Sequence, residues 1–294
     1  MHIRIGSRGS KLALWQSEYV ANRIMESFKD VTCEIVIIKT KGDKIQNVSL
    51  QKIGDKGLFV KEIEEQLINE TIDIAVHSMK DMPSILPEGL MFSKALKRED
   101  SRDVLILKEA KSLQDLKEGA IIGTGSMRRA AQIKKLRNDV VIKDIRGNVD
   151  TRLRKLQEED YDGIVMAAAG LKRMGLEDKI TQYLSFEEMV PACAQGCLAI
   201  ELKEENEELL AMLNTLCDEE SHACVEAERF YLASMEGNCH IPVGGHCIKE
   251  NDVYAFYAVY GKDDTHIVTA KTVHENALEA AKMASSEVKK AMVE

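Results

Sequence analysis

Short apolar segments alternate with longer amphipathic ones, and this alternation constrains the fold more than any other feature of the chain. "HIRIGS", "CEIVIIK" and "DIAVHS" have the length and composition of strands, and segments of helical periodicity separate them. The rhythm starts again at residue 103, with "DVLIL", "AIIGT", "VVIKDI" and "DGIVMAAAG" as strands and helices at 126–137 and 148–158. Such alternation predicts parallel sheets covered on both faces by helices. We therefore expect two α/β lobes with a junction at residues 96–103.

The pattern changes after Pro191. "GCLAIEL" is typical of one more strand, and two acidic helices follow at about 205–217 and 219–236. Two strands, "VYAFYAVY" and "HIVTAKTV", precede a last helix that begins at about residue 276. Hairpin-like strands packed by helices indicate a small α+β domain. A chain of 294 residues has room for two or three domains.

Cysteine content and hydropathy bear on where the protein works. Seven cysteines are an odd number, and the start, "MHIRIGSRGSKLALW", lacks the apolar run of a signal peptide. We therefore expect free thiols in a reducing cytoplasm rather than a disulfide framework. No segment is apolar enough to span a membrane, so we expect no membrane partner. The net charge of −9 argues against a general nucleic-acid binder.

The charges are unevenly placed along the chain. Residues 126–154 hold nine Lys and Arg against three Asp and Glu, whereas residues 201–228 hold ten Asp and Glu and one Lys. A basic segment in an acidic protein suggests a focused site for an anionic ligand. The alternative is that these basic residues line solvated helix faces.

Four predicted strands end in loops that carry unusual polar residues, at the edge where open parallel sheets bind ligands. The loops are "GSRGS", "HSMKDMPS", "GTGSMRR" and "IRGNVDTR", which hold Arg8, Ser10, Ser78, Lys80, Thr124, Ser126, Arg128, Arg129, Arg146 and Arg152. Helix N-termini suit phosphate or carboxylate, and arginine grips a carboxylate in two places. Walker-type glycine spacing is absent, so a polycarboxylate is favoured over a nucleotide.

Asp81 is the odd member of this set, because an acid in an anion site repels the ligand. It is explained if the reaction develops positive charge or needs N–H groups held in place. The alternative is a turn aspartate before "MPS" without a chemical role.

The segment "MEGNCHIPVGGHC", residues 235–247, places Cys239 in a bend rich in glycine. Its adjacent Cys–His pairs are poor geometry for one metal ion, since zinc ligands are usually two to four residues apart, so we expect no metal. The bend presents the Cys239 thiol for a covalent role, but the residues alone leave a purely structural role open.

These motifs together resemble those of the porphobilinogen deaminase family of tetrapyrrole biosynthesis, also called hydroxymethylbilane synthases. The resemblance runs through nearly the whole chain in order. It is carried by "RIGSRGSKLALWQ", "KTKGD", "GDKGLFVKEIE", "DIAVHSMKDMP", "REDSRD", "GTGSMRRAAQ", "RGNVDTRL", "AAAGLKRMGL", "PACAQG" and "EAERFYLASMEGNCHIPVG".

The resemblance implies an α/β chain of three domains. Two are similar to the lobes of type II periplasmic binding proteins, and the third is a small α+β domain with the cofactor loop. Transferred to this sequence, domain 1 covers residues 1–97 and 194–214, domain 2 covers 98–193, and domain 3 covers 215–294.

The resemblance also implies a transferase reaction. Similar enzymes remove ammonia from porphobilinogen, add the resulting azafulvene to a growing chain, and release the linear tetrapyrrole hydroxymethylbilane by hydrolysis after four units are joined. The chain grows on a covalent dipyrromethane cofactor, which a thioether links to the loop cysteine, here Cys239. Each pyrrole unit carries an acetate and a propionate, so the growing polypyrrole chain is the polycarboxylate expected from the arginines.

Residue roles follow from motif position in the same way. Asp81 is implied as the catalytic acid that holds pyrrole N–H groups and stabilises the cation. Cofactor binding is implied for Lys80, Ser78, Thr124, Ser126, Arg128, Arg129, Arg146 and Arg152. Substrate binding is implied for Arg8, Ser10, Arg173, Gln195 and Lys56, the last in "GDKGLF". We expect a cytoplasmic monomer that passes its product to uroporphyrinogen-III synthase.

Two other functions remain as rivals at this point. The first two domains alone would support a non-catalytic, two-lobed solute-binding protein for a polycarboxylate. A metal-binding protein is the second rival. Asp81 and the loop cysteine count against the first, and the ligand spacing counts against the second.

Overall fold

The computed structural model of the chain describes residues 1–41, 60–235, 241–263 and 266–293. The described residues form two units. Unit 1 contains residues 1–41, 60–99 and 196–222, and unit 2 contains residues 100–195 and 223–293. The chain thus passes from unit 1 to unit 2 after Glu99 and returns at Gly196.

Unit 1 is built on a five-stranded sheet with helices packed against it. Its strands are β1 (His2–Ser7), β2 (Thr32–Ile37), β3 (Ile74–Ser78), β4 (Leu90–Phe92) and β10 (Leu198–Lys203). Its helices are α1 (Lys11–Ser27), α2 (Lys61–Ile68) and α6 (Glu207–Asn214). The strand order is β2-β1-β3-β10-β4. β1 runs parallel to β2 and β3, whereas β10 is antiparallel to β3 and β4.

Unit 2 contains a second five-stranded sheet of the same design. Its strands are β5 (Asp103–Leu107), β6 (Ile121–Gly123), β7 (Val141–Lys143), β8 (Gly163–Ala167) and β9 (Gln182–Tyr183). Its helices are α3 (Met127–Leu136), α4 (Val149–Glu158) and α5 (Ala168–Arg173). The strand order is β7-β6-β8-β5-β9, and β5 is antiparallel to β8 and β9.

The expectation of parallel sheets is therefore correct for only part of each sheet. In both, one strand is inserted antiparallel beside the third parallel strand, namely β10 in unit 1 and β5 in unit 2. Hydrophobic periodicity reports that a strand is buried but carries no information on its direction, so the sequence pattern missed this reversal.

The third sheet is antiparallel and lies in unit 2. Its strands are β11 (Val243–Glu250), β12 (Val253–Gly261) and β13 (Ile267–His274), in the order β11-β12-β13. Helices α7 (Glu219–Ser234) and α8 (Ala277–Ala291) share its core, in which Tyr231, Phe256 and Ala280 are fully buried. The predicted fold class, two α/β lobes and a small α+β domain, is confirmed. The domain boundaries stay a prediction.

Strand β11 is missing from the sequence-based expectation, which treated residues 235–247 as one bend. Gly244 and Gly245 concealed it, because glycine weakens the pattern of a strand. Both glycines make close contacts. A Cβ on Gly244 would lie 2.5 Å from the carbonyl oxygen of Pro191, and one on Gly245 would lie 2.9 Å from the ring of Tyr231. His246 and Cys247 are consequently buried strand residues.

Two kinds of feature are absent from the part of the chain that the structure describes. None of its helices combines the length and apolar character needed to cross a membrane. No group of three His, Cys, Asp or Glu side chains among these residues is arranged to hold a metal ion. The six cysteines that lie in the described ranges are free thiols.

Replacing Gly196 tests whether close backbone packing, at the point where the chain returns to unit 1, contributes to stability. Gly196 has a φ of 89°, and a Cβ there would collide with the backbone carbonyl oxygen of Glu99. We expect Gly196→Ala to lower the free energy of unfolding by roughly 2 to 4 kcal/mol, from strain and overlap together. Gly175→Ala is the control, because its φ of 67° is similar but no described residue approaches within 4 Å.

Gly175→Ala should cost only about 1 kcal/mol, the penalty of the left-handed conformation alone. Urea unfolding of both variants measures the difference. Equal losses of unfolding free energy in the two variants would show that the Glu99 backbone does not restrict the side chain at position 196.

Candidate active site

Several predicted site residues of unit 1 lie at one edge of its sheet. β1 and β3 are parallel neighbours, with Ile5 opposite Ile74, so their carboxyl ends meet. Arg8 follows the end of β1, and Ser78 is the last residue of β3. The structure therefore brings together the "GSRGS" and "HSMKDMPS" loops, as the sequence predicts.

Asp81 lies on a short 3₁₀ turn, Met79–Asp81, directly after β3. The turn is anchored by the buried side chains of Met79 and Met82, and the Met79 N–H donates to the carbonyl oxygen of Cys197 at 3.0 Å. Asp81 itself is exposed. Two buried methionines thus hold an exposed carboxylate at a defined position on the sheet edge.

The serines of this edge have local partners. The amide nitrogen of Gln16 donates to the Ser78 hydroxyl at 3.0 Å, so α1 is tied to the end of β3. The Ser10 hydroxyl is the N-cap of α1 and accepts from the Ala13 N–H at 3.3 Å. Ser10 therefore satisfies one of the free N–H groups of its own helix. Its predicted contact with substrate stays a prediction.

A buried acidic cluster lies in the interior of unit 1. His77 Nε2 is 3.1 Å from Glu201 Oε2, and both side chains are buried. Glu64, on α2, is also buried, and Oε1 of Glu64 and Oε1 of Glu201 have no hydrogen-bond partner among the described residues. Burial raises the pKa of Glu64 to about 7, and the charge of Glu201 adds to this effect.

The predicted site residues of unit 2 lie at the equivalent edge of its sheet. β6 is parallel to β7 and β8, so the loops that follow them meet. The hydroxyl of Thr124 accepts from the Ser126 N–H at 3.2 Å, and Ser126 is the N-cap of α3. A Cβ on Gly125 would lie 2.5 Å from the carboxylate of Asp144, so the loops before α3 and before Arg146 are in close contact.

Arg128 and Arg129 are buried in the first turn of α3, and both bind the fully buried carboxylate of Asp103. Arg128 Nη1 donates to Asp103 Oδ2 at 2.6 Å. Arg129 donates to Asp103 Oδ1 from Nε at 3.0 Å and from Nη2 at 2.7 Å. Burial alone would raise the pKa of Asp103, but the two guanidinium charges hold it below its usual range.

Each guanidinium group also binds a backbone carbonyl oxygen. Arg128 Nη1 donates to Val190 at 2.7 Å, and Arg129 Nη1 donates to Val165 at 3.2 Å. A guanidinium has five N–H groups. Arg128 makes two hydrogen bonds to described residues and Arg129 makes three, so both retain N–H groups that an added carboxylate can accept from.

The other predicted arginines of unit 2 differ in their surroundings. Nη1 of Arg146 is buried and has no hydrogen-bond partner among the described residues. Arg152 Nε donates to the Gly147 carbonyl oxygen at 2.9 Å, at the start of α4. Arg173 is buried at the end of α5. Nη1 of Arg146 is thus a buried donor that lacks an acceptor in the described part of the chain.

Gln195 is fully buried at the end of the 100–195 segment of unit 2. Its amide nitrogen donates to the Ser101 carbonyl oxygen at 2.8 Å and to Asp103 Oδ1 at 3.0 Å. The structure thus connects Gln195 to the arginine pair through Asp103. Its predicted contact with substrate stays a prediction.

Two predicted residues, Lys56 and Cys239, lie outside the described residues. The helix that precedes Cys239, α7, is anchored by Glu228, which is fully buried. The carboxylate of Glu228 accepts from the backbone N–H of Ala194 and, at 2.7 Å, from that of Cys247.

Sequence reasoning missed the buried acids of both units. Asp103 lies in the "REDSRD" motif, but motif position implied no role for Asp103, Glu64 or Glu201. A signal did exist for Asp103 and Glu201. Asp103 begins the otherwise apolar strand segment "DVLIL", and Glu201 lies within the otherwise apolar segment "LAIEL". A charge at such a position requires a buried partner.

In unit 2, a sheet edge with arginines that retain unused N–H groups, and in unit 1 an exposed aspartate at a sheet edge, are features that suit an α/β protein with a carboxylate ligand. Comparison with known families then identifies the chain. Residues 3–211 match the porphobilinogen deaminase dipyrromethane cofactor-binding domain, and residues 222–294 match the porphobilinogen deaminase C-terminal domain. The chain belongs to the porphobilinogen deaminase family.

Individual relatives agree with this assignment. The chain is 55% identical to porphobilinogen deaminase of Lachnospira eligens over 267 residues, which cover 90% of each chain. It is 51% identical to that of Clostridioides difficile, over 93% of this chain and 91% of the relative. For the Geobacillus kaustophilus enzyme the identity is 47%, over 100% and 97%. The family assignment does not favour the rival interpretation of a non-catalytic solute-binding protein.

Solved structures of binding proteins are similar at a lower level. The methionine-binding protein MetQ aligns with a TM-score of 0.44 at 15% identity, over 79% of this chain and 94% of its own. A probable amino-acid transporter binding protein from Bacillus subtilis aligns with a TM-score of 0.45 at 10% identity, over 74% and 90%. Scores at this level carry no argument about function.

The raised pKa of Glu64 predicts a pH-dependent stability. Because the pKa is about 7 in the fold and near 4.5 when unfolded, the stabilising contribution is complete below pH 4.5 and is lost as pH rises through 7. Glu64→Gln remains neutral at every pH. Relative to wild type, its free energy of unfolding should therefore rise with pH, by at most about 1.4 kcal/mol per unit between pH 5 and 7.

Glu65→Gln is the matched control, because Glu65 is exposed on the same helix. Urea unfolding of wild type and both variants at pH 5, 6, 7 and 8 measures the effect. Parallel pH profiles for Glu64→Gln and wild type would contradict a raised pKa.

Proposed function

We propose that this member of the porphobilinogen deaminase family joins four porphobilinogen molecules head to tail, with loss of ammonia, and releases hydroxymethylbilane by hydrolysis. The observation that carries the proposal is the buried arginine pair after β6, which retains unused N–H groups at a sheet edge. The substrate and the growing chain carry an acetate and a propionate on every pyrrole, so arginine N–H groups suit them.

The carboxylates are held by the basic residues of unit 2. Arg128 and Arg129 supply charge-assisted hydrogen bonds from the first turn of α3, and Arg146 supplies a buried Nη1 that has no acceptor among the described residues. Leaving such a donor unpaired is costly, and a ligand carboxylate removes the cost. These residues therefore fit the dipyrromethane cofactor, with Thr124, Ser126 and Arg152 beside them.

When bound, the dipyrromethane supplies the pyrrole terminus at which new units are joined. Cys239 is the residue that holds it, through a thioether. Glu228 supports this role indirectly, because it fixes α7, the helix that leads to the cysteine, to the backbone at Ala194 and Cys247. Lys80 and Ser78 are assigned to cofactor binding as well.

Asp81 is the catalytic carboxylate. Its exposed position on a turn anchored by Met79 and Met82 leaves the carboxylate oxygens accessible to pyrrole N–H groups. A carboxylate there orients these groups and stabilises positive charge as ammonia leaves. Arg8, Ser10, Lys56, Arg173 and Gln195 bind the carboxylates of incoming substrate.

The broader organisation follows the family. We assign three domains to the chain, with residues 1–97 and 194–214 in the first, 98–193 in the second and 215–294 in the third. The protein acts as a cytoplasmic monomer and passes hydroxymethylbilane to uroporphyrinogen-III synthase. An odd number of cysteines, six of them free thiols in the structure, supports a reducing compartment.

Intact mass under denaturing conditions tests the covalent cofactor. We expect the purified protein to exceed its sequence mass by two linked pyrrole units, and Cys239→Ala to have the bare sequence mass. Cys217→Ala is the control, since Cys217 is a free thiol in the described part of the chain and should keep the adduct. Wild-type protein without an adduct, and unable to acquire one from porphobilinogen, would refute the proposed function.

Replacing the catalytic carboxylate separates chemistry from cofactor binding. Asp81→Asn should retain the adduct but lose about 100-fold or more in turnover, the range for removing a positioned acid or base. Asp115→Asn is a close control, because Asp115 is also an exposed third residue of a 3₁₀ turn, Leu113–Asp115. Steady-state turnover of porphobilinogen is the measurement, and near-normal turnover in Asp81→Asn would rule out this role.

A further inference from the structure

We infer that Asp103 is a positioning residue for ligand binding, which sets the charge and orientation of the Arg128–Arg129 pair. The inference rests on the proposed function, because it assumes that the pair binds the carboxylates of the cofactor and the growing chain. It assigns a role to a residue that touches no ligand and acts only through its neighbours.

The geometry places one carboxylate at the centre of four hydrogen bonds. Asp103 is the first residue of β5 and is fully buried. It accepts one bond from Arg128, two from Arg129 and one from Gln195, at 2.6 to 3.0 Å. Both oxygens of the carboxylate are thereby used, and each has a different arginine as its charged partner.

Charge balance explains why a carboxylate is needed there. Two guanidinium groups buried side by side repel each other and lose hydration, and burial lowers the pKa of Arg128. The negative charge of Asp103 offsets one of the two, so the cluster keeps a net charge of one. That remaining charge is matched to a single ligand carboxylate.

Orientation follows from which N–H groups are already used. Arg129 donates hydrogen bonds from Nε and Nη2 to Asp103 and from Nη1 to the Val165 carbonyl oxygen. Arg128 donates only from Nη1, to the Asp103 carboxylate and to the Val190 carbonyl oxygen. Its Nε and Nη2 have no acceptor within the described residues and form one edge of a rigid fork. Asp103 therefore selects the edge of Arg128 that faces a ligand.

Gln195 extends the same network to the point where the chain leaves unit 2. It is the last residue before the return to unit 1, and it donates to both Asp103 and the Ser101 carbonyl oxygen. The first and last segments of residues 100–195 are therefore joined at the carboxylate that orients the arginines. We expect loss of Asp103 to weaken the contact between these two segments and to leave the arginine side chains less well oriented.

The competing explanation is that Asp103 contributes to stability alone. Asp162 provides the comparison, because its carboxylate accepts from the Ile121 N–H at 2.8 Å, at the opposite end of β6, and pairs with Lys117. Asp162→Asn should lower stability without changing ligand binding. A residue that only stabilises should behave in the same way.

The decisive variant is Asp103→Asn, purified as the folded monodisperse fraction. We expect its intact-mass spectrum to be mainly adduct-free, and acquisition of the adduct from added porphobilinogen to be slowed by about tenfold or more. In the loaded fraction, KM for porphobilinogen should rise by about tenfold while kcat changes far less, since Gln195, which is assigned to incoming substrate, is held by Asp103. Asp162→Asn should match wild type in mass, acquisition rate and KM.

A second variant keeps the test decisive if Asp103→Asn does not fold. Asp103→Glu retains the negative charge but moves the oxygens by one methylene, so it should fold and still show slow acquisition and a raised KM. Wild-type acquisition and KM in either folded variant would overturn the inference. That result differs from failure of the proposed function, in which wild-type protein itself would acquire no adduct.

Discussion

The ion pairs between Asp103 and the two arginines of α3 are the constraint on which the sheet edge of unit 2 depends. Buried charges are tolerated only when they are paired and hydrogen-bonded, and here one carboxylate serves two guanidinium groups. The pairing allows arginines to occupy the first turn of a helix, where the helix dipole opposes them. The same arrangement leaves a net positive charge beside a sheet edge, which suits a polycarboxylate chain.

In unit 1, burial determines whether a carboxyl side chain is exposed or has a raised pKa. Asp81 is exposed on an anchored turn and remains available to ligand N–H groups. Glu64 and Glu201 lie in the interior, where burial and mutual repulsion favour a protonated Glu64. The two sites are close in sequence, since His77 contacts Glu201 and Asp81 is four residues further along. The buried acidic cluster and the exposed aspartate are thus connected through β3 and the turn that follows it.

Much of the fold follows from local pattern, and the exceptions have identifiable causes. Most strands and helices of the α/β blocks lie where periodicity predicts them, because burial of one face imposes that periodicity. The short elements β4, β9 and α5 were not predicted, because two to six residues are too few to establish a period. Strand β11 was missed because Gly244 and Gly245 replace the expected apolar side chains at points of close packing. The reversed strands β5 and β10 were missed because direction depends on how the chain returns between units, which no local pattern records.

The sequence by itself determined the chemistry of the motifs: the arginines at strand ends, the aspartate after β3, and the family to which they belong. Local residue type and spacing suffice for this, because helix N-termini and strand ends have fixed properties. Only the tertiary structure decided which acid neutralises the arginine pair and which acid stays exposed. Asp103 and Arg128 are 25 residues apart, and His77 and Glu201 are 124 residues apart. Such contacts arise from the pairing of distant strands, which burial of the whole core selects.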